Sequence, residues 1–242
     1  MKRKARSQLG RSTADKIYVR GHDLTEELIG KVSLGDVAFL ELTGRLPNPK
    51  ESVMFNALAV TLVEHGLTPS TLAARLTYYG APEALQGAVA AGLLGMGDRF
   101  GGSIEQAARM LQEPMGDARA IVASYRARKE IIPGIGHPIH RTGDPRTARL
   151  FELAAENGCS GDHVKLMEAI AQEATQAYGR PLPVNATGAI AAVATEMGLS
   201  WRICRGLAVI ARAIGLVAHV QEEMDEPMAP DIWARAESES SD

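Results

Sequence analysis

The stretch "EIIPGIGHPIHRTGDPR", residues 130–146, holds three prolines, three glycines, two histidines and two arginines. Proline removes a backbone donor and glycine frees φ, so no regular element runs through it. On both sides apolar residues recur at three- and four-residue spacing, the period of a helix facing a core. The stretch therefore reads as a loop cut into a helical chain. It places His137 between glycine turns and a proline.

Working outward, "LTEELIG" and "LGDVAFLELTG" read as short helices ending at Gly30 and Gly44. "RLPNPK" breaks the chain, and a helix over about 52–64 ends at His65-Gly66. Thr68 is a candidate N-cap, Pro69 a first helical residue and Gly80 a stop. The small residues of "APEALQGAVAAGLLGMG" predict a helix that another helix approaches closely, in a central or subunit-contacting position. Ser103 with Gln106 predicts a capping box. "GDARAIVASYRARKE" leads into the loop. Beyond it lie "PRTARLFELAAENG", "DHVKLMEAIAQEATQAYG", the break "RPLPVNATG", a helix of about 190–197 and a long one from near Ser200 to Glu223. Alternating strand patterns are nearly absent. The expectation is an all-α protein: a helical body over residues 15–225, with a mobile lobe over about 100–185. A flexible basic N-terminus covers 1–14. A polar tail covers 226–242, its end "ARAESESSD" disordered.

The chain has 242 residues, 45% hydrophobic and 23% charged, with a formal net charge of -3. That suits a globular domain and provides no global field for nucleic acid or a membrane. No apolar run reads as long enough for a membrane span, and the N-terminus lacks the apolar core of a secretory signal. Cys159 and Cys204, without a CxxC pair, point to a reducing, cytoplasmic setting and to packing roles.

Polar residues that suggest chemistry gather at the breaks: 64–66, 95–103, 132–146 and 179–188. Arg205, Arg212 and His219, seven residues apart, share a face of the last long helix. "GMGDRFGG" lacks the phosphate-loop pattern, and neither it nor "GIGHPI" follows a strand, so these glycines serve turns and close backbone approach. His137 and His140 lack a clear third ligand, and no metal is expected. His137 is better suited to acid/base work or hydrogen bonding near neutral pH. Met96, Met110, Met115 and Met167 read as core fillers, and Arg205 as ion-paired or exposed. His22, His163 and His219 read as structural, and Trp201 and Trp233 as a subunit contact or a packed tail.

Four segments, in order, resemble the citrate synthase superfamily. "IIPGIGHPIHRTGDPRTARL" is similar to its histidine loop, with a G-x-G-H core followed by D-P-R. "LVEHGLTPSTLAARL" resembles its earlier histidine segment, "RPLPVNATGAIAAV" its aspartate segment and "VIARAIGLVAHVQE" its arginine helix. "GDRFGG" resembles the citryl-CoA lyase branch, and the chain lacks the longer N-terminal region of typical synthases. The resemblance implies a multi-helix homodimer acting on coenzyme A thioesters, with coenzyme A as part of substrate or product, beside a small carboxylate or oxo acid.

Carried over residue by residue, the resemblance makes His137 the acid or base at the reacting oxygen. His65 would hold the oxo- or hydroxy-acid part, and Arg146 and Arg212 would bind carboxylates. Ile131, Ile132, Gly134 and Gly136 would pack against the coenzyme A adenine, with Arg180 near its phosphates. The substrate-side positions include Phe100, where synthases place a histidine, and Thr187, where the family places an aspartate. Asn185 lies beside it and is no base. The family's further arginine after the last helix has no match; Arg235 does not fit the motif. These departures imply a substrate with fewer carboxylates than citrate and another source of the α-carbon proton. The activity implied is a carbon–carbon lyase of citryl-CoA type. The alternatives are a non-catalytic acyl-CoA-binding homodimer and a synthase-type acyltransferase.

Overall fold

The computed structural model describes residues 7–113, 116–137 and 142–240. Its body is helical, as the periodicity predicts. A small antiparallel meander, which the sequence reading does not foresee, precedes the helices: β1 (Gly10–Ser12), β2 (Ile17–Val19) and β3 (His22–Asp23). Gly10 pairs with Val19 and Tyr18 with Asp23. Strands of two or three residues are too short to show alternation, so they left no signal. β1 lies within the stretch read as a flexible terminus. Lys16 clamps the hairpin with a 2.9 Å bond to Asp23, which also caps a π-turn, Leu24–Leu28.

Caps set the helix bounds. α1 (Leu34–Thr43) opens on a Ser33/Asp36 capping box and stops at the left-handed Gly44. α2 (Pro49–Val63) begins earlier than its apolar period, because Asn48 caps it and Pro49 is the first helical residue. α3 (Pro69–Gly80) has the predicted Thr68 cap. α4 (Leu85–Leu94) follows. A second π-turn, Gly97–Gly102, runs straight into α5 (Ser103–Gln112). The expected Ser103 capping box is therefore absent: Gly102 is already helical, and no free N-terminus needs a cap.

Asp117 caps α6 (Ala118–Arg128), Asp144 caps α7 (Pro145–Glu156), and α8 (Asp162–Tyr178) follows. Asn185 caps α9 (Ala186–Glu196), which starts before the expected 190. α10 (Trp201–Asp225) is the longest helix. The tail read as disordered forms α11 (Ala229–Ser240). Its cap is supplied from α10, where Glu223 accepts from the Met228 and Ala229 amides, and Trp233 meets the Tyr79 ring at 6.3 Å.

α9 is the hub. Ala189–Ala194 are fully buried, and α9 packs against α5, α7 and α8; a helix apolar all round belongs inside. α10 packs on α2, α3, α4 and α5. Contrary to the sequence reading, α10 is long and apolar enough to cross a membrane by length and composition, with a mean hydropathy of 1.7. Here it is the spine of a helical body. The small residues of α4 allow the predicted close approach. A Cβ on Gly92 would meet Leu216 of α10 at 2.8 Å and the Ser70 carbonyl of α3 at 3.0 Å. Met96, Met110 and Met167 are core fillers; Met115 lies outside the described residues. Cys204 is buried and Cys159 partly so, both as free thiols.

Candidate functional site

The loop after α6 is stitched to the loop before α9. Ile135 and Val184 form an antiparallel bridge. The Gly136 amide donates to the Pro183 carbonyl at 2.7 Å, and the Asn185 amide to the Gly134 carbonyl at 3.0 Å. The Asn185 side chain locks this arrangement. Its Nδ2 donates to the Gly136 carbonyl at 2.7 Å. Its Oδ1 accepts from the Gly188 amide and the Thr187 hydroxyl. Gly134 and Gly136 have φ of 82° and 76°, the left-handed region that favours glycine. His137 leaves this strand half-buried. His140 lies outside the described residues.

A cavity of about 790 Å³ opens along the loop. Ile131, Ile132, Gly136, His137 and Arg180, read separately from the sequence, all line it. Leu182 and Tyr178 extend its apolar wall, and Ile131 stands 88% exposed at the rim. Arg126 lies over the Tyr178 ring at 5.8 Å, a cation near the mouth besides Arg180. Gly134 does not line the cavity; it backs the wall against Gly188. Glu130, unremarked in the sequence, also lines it and pairs with Arg128 at 2.8 Å.

The other end of the loop builds a cationic pole. Asp144 is buried and grips Arg146 with two bonds, at 3.0 and 2.8 Å. It also accepts from the Arg146 amide and from the Ala186 amide at the start of α9. Burial raises the Asp144 carboxyl, but Arg146 and these amides outweigh it and hold it below the usual carboxylate range. The forked bond fixes the Arg146 guanidinium as a rigid donor.

His65 shares this pole. Burial, then the charges of Arg146 and Arg212, push its imidazole below its ordinary value, while Glu64 and Asp144 pull it back in part. His65 is thus neutral at pH 7 and able to donate or accept one hydrogen bond. Arg212 is half-buried, and burial lowers its pKa against the pull of Glu64; an arginine remains charged even so. None of the described residues accepts from its buried Nε. The two ends of the loop meet at the N-terminus of α9, through Asn185 on Gly136 and Ala186 on Asp144. Two residues of this pole were missed in the sequence. Asp144 had a signal, an N-cap position before Pro145. Glu64 had only its place beside His65.

Phe100 sits on the second π-turn, 45% exposed, its ring 6.0 Å from the Arg99 guanidinium. It does not line the cavity. Arg205, ion-paired as read, ties α10 to this turn through Asp98 and to α5 through Glu105. The Thr187 hydroxyl donates to Asn185 Oδ1; neither a hydroxyl nor an amide can act as an ionising carboxylate base. No cluster of three metal-ligating side chains occurs among the described residues.

Residues 38–233 match the family model for the citrate synthase C-terminal domain. The fold is similar to citryl-CoA lyase from Hydrogenobacter thermophilus, with a TM-score of 0.87 and 38% identity, covering 93% of this chain and 88% of that one. It is also similar in fold to ATP citrate lyase from Methanothrix soehngenii, solved in complex with citrate and coenzyme A, with a TM-score of 0.79 and 23% identity, covering 92% of this chain and 40% of that one. Citrate synthase 2 of Bacillus subtilis (strain 168) is 27% identical over 76% of this chain and 50% of its own length. The chain spans about half the length of the curated relatives it matches.

Proposed function

The chain belongs to the citrate synthase family, and from that premise we propose that it is a carbon–carbon lyase cleaving a hydroxyacyl-CoA thioester of the citryl-CoA kind. One observation carries the reading. The loop that puts His137, with Arg180, in the lining of a mainly apolar cavity runs on to Arg146, whose charge acts on His65 together with that of Arg212 on α10. The cavity suits a nucleotide-tailed thioester, the pole a carboxylate. The lyase direction, rather than the synthase direction, is supported by the likeness to citryl-CoA lyase over most of both chains and by Phe100 where synthases place a histidine.

In this reading coenzyme A lies against Ile131 and Ile132, with its phosphates toward Arg180. His65 and the two arginines hold the hydroxy-acid end. His137 takes the proton of the substrate hydroxyl. Its oxygen becomes a carbonyl as the carbon–carbon bond breaks, and the electron pair leaves on the acyl-CoA enolate. The enolate then takes up one proton from water, since Thr187 does not ionise, and the proton on His137 neutralises the hydroxide left behind, which restores the imidazole. One proton leaves the substrate and one is gained, so the step is redox-neutral. Closure of the lobe over about 100–185 would exclude water until cleavage is complete.

A homodimer fits the apolar surface left on the body. Ile210, Ile214 and Val217 of α10, with Leu76 of α3 and Leu94 of α4, are exposed, and solvated apolar groups of this number favour an interface. The free thiols support a cytoplasmic setting.

The second reading, an acyl-CoA-binding homodimer without turnover, draws on Phe100 and Thr187 together. One experiment separates the two. The protein is incubated with citryl-CoA and with 3-hydroxyacyl-CoA thioesters, and acyl-CoA products are followed by mass spectrometry. Cleavage that disappears in His137→Ala supports the lyase. Tight coenzyme A binding without product from any of them sinks it. A Thr187→Asp variant that gains citryl-CoA cleavage absent from the parent places the natural substrate elsewhere. Acyl-CoA consumed with an oxo acid, and no cleavage, favours the synthase direction.

A further inference from the structure

We infer that His219, with Glu64, is a positioning device for the acid-binding pole: it orients the turn that carries His65 without itself reaching the substrate. The inference rests on the reading of His65, Arg146 and Arg212 as that pole. The face of α10 bearing Arg212, Gly215 and His219 lies over the end of α2. A Cβ on Gly215 would stand 2.1 Å from the Val63 carbonyl oxygen and 3.1 Å from Glu64 Oε2. Only glycine lets α10 come this close, so Arg212 and His219 flank Glu64 from one helix.

The tautomer of His219 follows from its neighbours. Nδ1 lies 3.1 Å from Arg75 Nη2 and 3.4 Å from Arg75 Nε. A guanidinium has donors and no acceptor, so Nδ1 must accept. The ring proton is then on Nε2, which lies 3.0 Å from each carboxylate oxygen of Glu64 and donates to it. Arg75 is held in its turn. It is 2% exposed, bonds Glu223 at 3.0 Å and contacts Glu222. Glu223 uses its other oxygen to cap α11. The chain of bonds therefore runs from α11 through Glu223, Arg75 and His219 to Glu64.

Glu64 ends it at the site. Its Oε1 accepts from the amides of His65 and Gly66, at 2.8 and 2.5 Å, and Gly66 takes φ of 69° to make the turn. The charged groups acting on His65 are Arg146, Arg212, Glu64 and Asp144. Glu64 offsets the two arginines, so its placement sets both where the imidazole stands and how it titrates. His219 read as structural in sequence because its partners lie 144 and 155 residues away.

The test reads His65 directly, without substrate, by its imidazole titration in NMR spectra of the whole protein. Glu64→Gln removes an offsetting charge and lowers the His65 midpoint. His219→Asn keeps an acceptor for Arg75 but is too short to reach Glu64, and lowers it likewise. His219→Gln, which places a donor near Nε2, restores the wild-type midpoint. The His219→Asn/Glu64→Gln double variant falls no further than Glu64→Gln alone. A wild-type midpoint in His219→Asn overturns the proposal, as do additive effects or identical behaviour of the Asn and Gln variants. A wild-type midpoint in Glu64→Gln overturns it too. Since no turnover is measured, a failed lyase assay and a failed titration remain separate results.

Discussion

Gly134 and Gly188 meet backbone to backbone. A Cβ on Gly134 would lie 2.6 Å from the Gly188 Cα, and one on Gly188 would lie 2.3 Å from the Gly134 carbonyl oxygen. Neither neighbour is a side chain able to swing aside. The contact seats the histidine loop on α9, so Gly188→Ala must push the loop outward. Overpacking of this kind costs about 1–3 kcal/mol, a fall in Tm of several degrees for a chain of this size. Coenzyme A affinity, measured by calorimetry, falls with it. Gly143→Ala is the control: among the described residues beyond its chain neighbours, no atom lies within 4 Å of the added carbon, and both measurements stay at wild type.

Much of this geometry was legible in the sequence, for local reasons. Thr68-Pro69 and Gly80 bound α3 because cap and stop act on their own helix. The Pro/Gly density of residues 130–146 announced the loop, and Ile131, Ile132, Gly136 and Arg180, read with His137, line one cavity with it. What the sequence hid is tertiary. The α11 cap comes from Glu223 on another helix. The Ser103 box fails because a π-turn feeds its helix. Glu64 and Asp144 act through amides and partners that only folding brings near. Asn185, read on the substrate side, bonds the loop at Gly136 and α9 at Gly188 through its side-chain amide, and no local pattern announces the loop contact.

Asp144 makes stability depend on acid. Its folded carboxyl titrates below the ordinary 3.8, so the unfolded chain takes up the proton first. Its stabilisation is fully present above that ordinary value and is lost as pH falls through the lower, folded one. Asp144→Asn keeps one capping oxygen but removes the other acceptor and the charge that holds Arg146, at a cost of about 2 kcal/mol. Melting profiles between about pH 5 and about pH 2 check it. The variant melts lower near neutrality, and its profile is flatter on the acid side. A parallel profile, merely shifted down, contradicts the assignment.

The exposed apolar side of α10 gives a prediction on assembly. Ile214 is 49% exposed and Val217 44%, on a helix that buries Leu207, Ala211 and Leu216 elsewhere along its length. A charge placed in a dimer interface loses its hydration there without gaining a partner. Ile214→Asp therefore shifts sedimentation from dimer to monomer while leaving the helical circular dichroism intact. A wild-type protein that sediments as a monomer at all concentrations refutes the dimer outright.

Arg212 and His65 tie ligand binding to protonation. Among the described residues none accepts from Arg212 Nε; in the proposed reading a bound carboxylate would supply that acceptor. A charge-assisted hydrogen bond contributes about 2 kcal/mol, roughly thirtyfold in affinity. Arg212→Gln should lose about that much citrate affinity in calorimetry and leave coenzyme A affinity unchanged. His65 reports the same event by its titration. Its folded value lies below the ordinary 6.5 because of burial and then the two arginines. In the unliganded protein its contribution to stability is therefore present above 6.5 and lost as pH falls through the folded value. An anion held by Arg146 and Arg212 offsets their charge, which favours the protonated imidazole. Saturating citrate must then raise the His65 midpoint in the wild type and raise it less in Arg212→Gln. A midpoint that citrate leaves unmoved, while calorimetry shows binding, would put the carboxylate elsewhere and separate His65 from the acid-binding pole.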